Sequence, residues 1–168
     1  SGELFVGYST FSGNAADQGG ALYGQGAASL TDSTLSGNSA LNAAAAAING
    51  DTLLQSDTIA FNTVTCSPGC PHPYAFGVIA GILNIENTIA ANTDGGDNLR
   101  AGGLVISSNN LIVHGTVPPG TLQSDPRLQP LAINGSRLLV QPLTHALGPG
   151  SPAIDAGAAT AFVTLDER

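Results

Sequence analysis

The chain of 168 residues contains no Lys, no Met and no Trp, and its only basic residues are Arg100, Arg127, Arg137 and Arg168. Against these stand twelve acidic residues, for a formal net charge of −8. Four scattered Arg cannot neutralise a phosphate backbone, and an acidic protein repels polyanions at long range, so nucleic-acid partners are excluded. Charged residues reach only 10%, where about 25% is ordinary. The surface must therefore be made from Ser, Thr, Asn and Gly. Charge-driven disorder is excluded as well, because 42% of the residues are apolar and the mean hydropathy is +0.18. No stretch approaches the roughly 18 to 20 uninterrupted apolar residues of a membrane helix, and the start lacks the basic and apolar regions of a signal peptide. The expectation is a secreted or surface-displayed piece of a longer protein, its signal removed or omitted, and of a length that suits one domain.

Cysteine is also scarce. Cys66 and Cys70 stand in Cys-Ser-Pro-Gly-Cys, where a Pro-Gly turn can bring their Cα atoms within disulfide reach. A local disulfide fits an oxidising compartment. The competing reading is a metal site with His72, but that supplies three ligands and no evident fourth, so no metal site is assigned.

What the sequence has in plenty is repetition. Ser9-Thr10-Phe11-Ser12-Gly13-Asn14 returns as Ser33-Thr34-Leu35-Ser36-Gly37-Asn38, as Asp57-Thr58-Ile59-Ala60-Phe61-Asn62 and as Asn87-Thr88-Ile89-Ala90-Ala91-Asn92. The closing Asn residues lie 24, 24 and 30 positions apart, and the longer interval holds a Cys- and Pro-rich insertion near 66–73. Small residues before apolar ones recur between the blocks (Gly19 to Tyr23, Ala45 to Ile48, Gly81 to Leu83), and Val6, Leu30 and Leu54 precede successive blocks. A period near 24 with three short strand-like pieces predicts an all-β fold, a single-stranded right-handed parallel β-helix. About five coils, roughly 25 Å at the strand spacing, are expected over 1–115, with 116–168 as an irregular capping or anchoring segment packed on the same solenoid. Strand alternation turns Phe11, Leu35, Ile59 and Ile89 inward and the Thr residues outward. Asn14, Asn38, Asn62 and Asn92 are expected as a structural ladder, since Asn tolerates a left-handed turn and its amide can both donate and accept along a stack.

The block Ser33 to Ala40 resembles the repeats of secreted bacterial β-helix proteins, including those of polymorphic outer-membrane type. The tail adds Asp125-Pro126-Arg127-Leu128, Leu143-Thr144-His145-Ala146-Leu147 and Gly150-Ser151-Pro152-Ala153-Ile154-Asp155-Ala156-Gly157. That succession is similar to the C-terminal region of bacterial choice-of-anchor Q domain proteins, which typically continue beyond the Asp-Glu-Arg position. The resemblance implies an extracellular β-helix and no particular reaction.

Three chemistries are open to such a scaffold. The first reading is a non-catalytic structural or adhesion module, in which residues near Leu4 to Tyr8 either continue from a missing upstream coil or dock end to end onto another molecule, with cell-envelope glycans as further partners. The second is a polysaccharide-active hydrolase or lyase. Its carboxylates would be Asp94 and Asp97, because Asn92-Thr93-Asp94-Gly95 is similar to one short polygalacturonase motif and glycoside hydrolysis needs paired carboxylates. The other elements of that family have no counterpart, and lyase chemistry on uronates wants a cation that this chain hardly supplies. Asp94-Gly95-Gly96-Asp97 also hints at a calcium turn, but it occurs once, and no cofactor is assigned. The third reading is an ice- or neutral-glycan-binding face along Thr10, Thr34, Thr58 and Thr88. His145, inside the tail motif, is read as a structural hydrogen-bonding residue, and Asp155 as a turn cap.

Overall fold

The computed structural model describes residues 2–66, 73–91, 93–135 and 141–158. The chain winds as a parallel β-solenoid of about four turns with no helix among the described residues. Each of the first three turns carries four short strands where three are expected from the repeat. The first holds β1 (Leu4–Gly7), β2 (Thr10–Ser12), β3 (Ala15–Gln18) and β4 (Leu22–Gly24). The second holds β5 (Ala28–Thr31), β6 (Thr34–Ser36), β7 (Ser39–Asn42) and β8 (Ala46–Asn49). The third holds β9 (Thr52–Gln55), β10 (Thr58–Ala60), β11 (Thr63–Val64) and β12 (Tyr74–Ala80), and β13 (Leu83–Glu86), β14 (Ile89–Ala91) and β15 (Asp97–Ala101) follow. β16 (Val105–Ser108) and β17 (Leu111–Ile112) end the stack, and β18 (Leu128–Ala132) pairs antiparallel with β19 (Thr144–Leu147).

The four walls are β1-β5-β9-β13-β16, β2-β6-β10-β14-β17, β3-β7-β11 and β4-β8-β12-β15. The extra wall exists because the pair closing each of the first three repeat blocks (Gly13-Asn14, Gly37-Asn38, Phe61-Asn62) is a sharp corner, so residues on its two sides lie in different sheets. Inside, like stacks on like. Val6, Leu30, Leu54 and Ile85 form one column, and Phe11, Leu35, Ile59, Ala90 and Ile112 another. Leu30, Leu35, Leu54, Ile59, Ile85 and Ile112 are fully buried, each removing apolar area worth about 2 to 3 kcal/mol from water.

Two polar columns hold the corners on either side of the second wall. At the Gly-Asn corner, Asn14 donates from N (3.1 Å) and Nδ2 (2.9 Å) to Asn38 Oδ1, and Asn38 repeats the pattern onto Asn62 at 3.0 and 3.1 Å. Asn38 and Asn62 also donate to the carbonyls of Phe11 and Leu35. The left-handed residue at this corner is not the Asn but the one before it: Gly13, Gly37 and Phe61 have φ of 68°, 67° and 55°. Asn is there to satisfy the stack, and Gly supplies the bend.

The opposite corner carries a second column, whose first members Ser9, Ser33 and Asp57 open the repeat blocks. Ser9 N donates to Ser33 Oγ, Ser33 N to Asp57 Oδ1, Asp57 N to Thr88 Oγ1 and Thr88 N to Asn110 Oδ1. Before each of them stands a left-handed residue: Tyr8, Asp32, Ser56, Asn87 and Asn109.

The fourth turn is out of step with the repeat read from the sequence. Thr58 lies opposite Ile89 and Thr63 opposite Asp94, a step of 31. Thr88 therefore belongs to the Asp57 column, not beside Thr58, and Ala90 rather than Ile89 continues the inward column. On the same step the position after Asn62 is Thr93. Asn92 lies outside the described residues, as do Cys70 and His72.

The two ends of the solenoid differ. At the far end, Gly115 and Thr116 pair beside Leu99, Leu122 pairs beside Leu111, and Val117 between them packs on the core. This segment crosses from the fourth wall to the second and covers the end. At the near end, the inward residues Leu4, Val6, Phe11 and Leu22 are only partly buried.

Asn38 is fully buried and its side chain makes four hydrogen bonds. Replacing it with Ala strands buried partners and is expected to cost about 2 to 4 kcal/mol, while Asn14→Ala at the exposed end costs less than about 1 kcal/mol. Urea unfolding of the two variants measures both.

Candidate functional site

Outward residues of the second wall alternate with its buried column, and the β18/β19 pair lies over them. Thr10 Oγ1 donates to the Leu143 carbonyl at 2.7 Å. Near the other end of the wall, Asn87 donates from Nδ2 to the Ala158 carbonyl (2.8 Å) and accepts the Ala158 N–H at Oδ1 (2.9 Å). The tail is thus fastened at both ends of the wall, and two cavities lie along the seam. One, of about 450 Å³, is polar and is bordered by Asp32, Thr58, Asn87, Asn109, His145 and Asp155. The other, of about 410 Å³, is lined by Ser36, Phe61, Leu128, Pro130, Leu131 and His145.

His145 borders both cavities, and its environment fixes its chemistry. Nδ1 lies 2.6 Å from the Gln129 carbonyl, and Nε2 lies 2.8 Å from Ser36 Oγ. A carbonyl can only accept, so Nδ1 carries the proton, and in the neutral ring Nε2 accepts from the Ser36 hydroxyl. Phe61 packs on the imidazole with ring centroids 5.0 Å apart. Ser36 and His145 are 4% and 8% exposed. Burial pushes the His145 pKa below its usual value, and the Gln129 carbonyl, favouring the charged ring, opposes this more weakly.

The residues singled out in the sequence are dispersed. Thr10 is bonded to the tail, Thr34 is buried with its hydroxyl making no hydrogen bond, Thr58 borders the polar cavity and Thr88 stands in the corner column. They do not form one open face: the tail lies over the first three, and the 31-residue step removes the fourth. Asn14, Asn38 and Asn62 are spent on one another. Asp94 is exposed and Asp97 half-buried, and neither borders either seam cavity. Their backbones close the turn, Asp94 N donating to the Asn62 carbonyl and Asp97 N to the Pro73 carbonyl. No group of three or more His, Cys, Asp or Glu able to hold a metal occurs among the described residues. Cys66 is described, but its proposed partner Cys70 is not. His114 is exposed, and Asp155 sits in a left-handed turn at φ 57°. Nothing local in the sequence links Ser36 to His145, 109 positions away.

No protein-family model, curated protein or solved structure matches the chain. Among the described residues no helix is long and apolar enough to cross a membrane.

The His145 shift makes a prediction about pH. Its folded pKa lies below the unfolded one, so the unfolded chain binds the proton more tightly. The resulting stability is fully present above the unfolded value, about 6.5, and is lost as pH falls below it toward the folded pKa. Unfolding free energies measured from pH 7.5 to 5 are expected to decline in the native sequence, and that part of the decline should vanish in His145→Gln.

Proposed function

We propose that this chain is an extracellular or cell-surface structural module of adhesion type, which associates through the open end of its solenoid. The observation that carries the reading is the difference between the ends. A parallel stack leaves a row of unpaired backbone groups at each terminus, which natural proteins cover or guard. Here the far end is crossed by the segment that carries Val117, while the edge formed by β1 to β4 exposes half-buried Leu4, Val6, Phe11 and Leu22, with Phe5 74% exposed beside them. No Lys exists to guard that edge.

The occupant proposed for the open end is the same end of a second copy. Pairing of like edges closes at a dimer, whereas a heterologous contact would continue as a filament. Sedimentation velocity over a range of concentrations should show a monomer–dimer equilibrium that stops at two. Phe5→Asp, which places a charge on the open edge at a residue 74% exposed, should hold the protein monomeric. A native chain that stays monomeric at millimolar concentration overturns the pairing.

Secretion is part of the same reading. It is supported by the scarcity of charge, by the Cys66/Cys70 spacing and by the likeness of the tail to bacterial choice-of-anchor Q proteins. Titration of the unfolded, unreduced protein with a thiol reagent should find no free thiol; two would remove the Cys66–Cys70 bridge.

A further inference from the structure

We propose that Ser36 and His145 form a nucleophile–base dyad that cleaves neutral esters of small apolar acyl groups at the seam between the tail and the second wall. Geometry carries the proposal. Ser36 Oγ donates to Nε2 at 2.8 Å, and the Gln129 carbonyl at 2.6 Å from Nδ1 fixes the tautomer that leaves Nε2 free to accept a proton. A nucleophile bonded to a base that is itself oriented by a third group is the arrangement acyl transfer requires. A hydroxyl serving only to fasten the tail has no need of a cavity, yet both members of the pair line one of about 410 Å³ whose other walls are Phe61, Leu128, Pro130 and Leu131.

The chemistry closes on these two residues and water. Ser36 Oγ bonds to the acyl carbon as its proton passes to His145 Nε2. The bond from that carbon to the alcohol oxygen then breaks, and the alcohol leaves with the proton from Nε2. Water next gives a proton to Nε2 and bonds to the acyl carbon. The carbon–Oγ bond breaks, Ser36 recovers its proton, and a carboxylic acid is released. The apolar walls select the acyl group. Asp32 and Asp155 border the adjoining cavity, no Arg among the described residues borders either one, and the chain carries −8, so an anionic ester is repelled. The proposal does not depend on how the solenoid ends associate.

The test is labelling of the folded protein with an alkyl fluorophosphonate, with the adduct located by tandem mass spectrometry, alongside hydrolysis of p-nitrophenyl butyrate. One adduct at Ser36 is expected, absent in Ser36→Ala and in urea, and retained in Ser12→Ala, which changes the exposed neighbour in the same column. Labelling should slow at least about 100-fold in His145→Gln, the range of a lost general base. In the native protein its rate should fall with pH along a curve centred below about 6.5. That profile serves in place of the variant where His145→Gln does not fold. No adduct at pH 8, an adduct at another residue, equal labelling of the unfolded chain, or a rate indifferent to both pH and His145 overturns the proposal.

Discussion

Everything in this molecule depends on parallel stacking in register. Strands in a solenoid lie about 4.8 Å apart, so each corner backbone group, turned away from its own sheet, must find a partner one turn along. The chain meets this with a side-chain oxygen that accepts the N–H of the turn before, on both flanks of the second wall. Asn38 and Asn62 do it at one corner; Ser33, Asp57, Thr88 and Asn110 do it at the other. The columns tolerate different residue types because they need an acceptor at one place rather than a particular side chain. Buried Asp57, its two oxygens receiving Ser33 N and Gln55 N, shows how far that tolerance runs.

The same constraint explains what the sequence told and what it concealed. Inward columns were legible because a hydrophobic residue every 24 positions admits one packing, and Leu30 over Leu54 or Leu35 over Ile59 follows directly. The corner at Ser33 and Asp57 was less visible, since Ser, Asp, Thr and Asn do not look alike in a string. A sign was present nonetheless: Asp32, Ser56, Asn87 and Asn109, each just before the acceptor, are residue types that favour turns or tolerate a left-handed backbone. The step of 31 was concealed for a related reason. Aligned as strings, Asn87-Thr88-Ile89 matches Asp57-Thr58-Ile59, but the corner places Asn87 as the left-handed residue after Ser56, and every later residue moves by one. Corner geometry outranks local similarity because a one-residue slip turns a whole strand inside out.

The seam was beyond sequence reasoning. Repeats reveal neighbours one period apart, whereas the β18/β19 pair is antiparallel, occurs once and meets the second wall at residues as distant as Ser36 and His145. His145 could be read as a hydrogen-bonding residue from its motif, but its partner lay among repeat serines that look interchangeable. They are not: Ser12 is exposed, Ser36 is buried under the tail, and Ala60 and Ala91 continue the column without a hydroxyl.

Fastening and reactivity at this seam are consequences of one arrangement. The Gln129 carbonyl holds the tail's own histidine by taking the Nδ1 proton, and this obliges Nε2 to face Ser36 as an acceptor. Phe61, left-handed at φ 55° where the preceding turns use Gly, lies against the ring and helps bury it. A bulky residue in that conformation carries a backbone cost of about 1 kcal/mol or more, and glycine would avoid the cost while leaving the imidazole bare on that side. The strained aromatic, the buried base and the one buried serine hydroxyl of that column therefore belong together. Burial favours the neutral ring, the neutral ring leaves Nε2 as an acceptor for the Ser36 hydroxyl, and the tail supplies both by lying where it does.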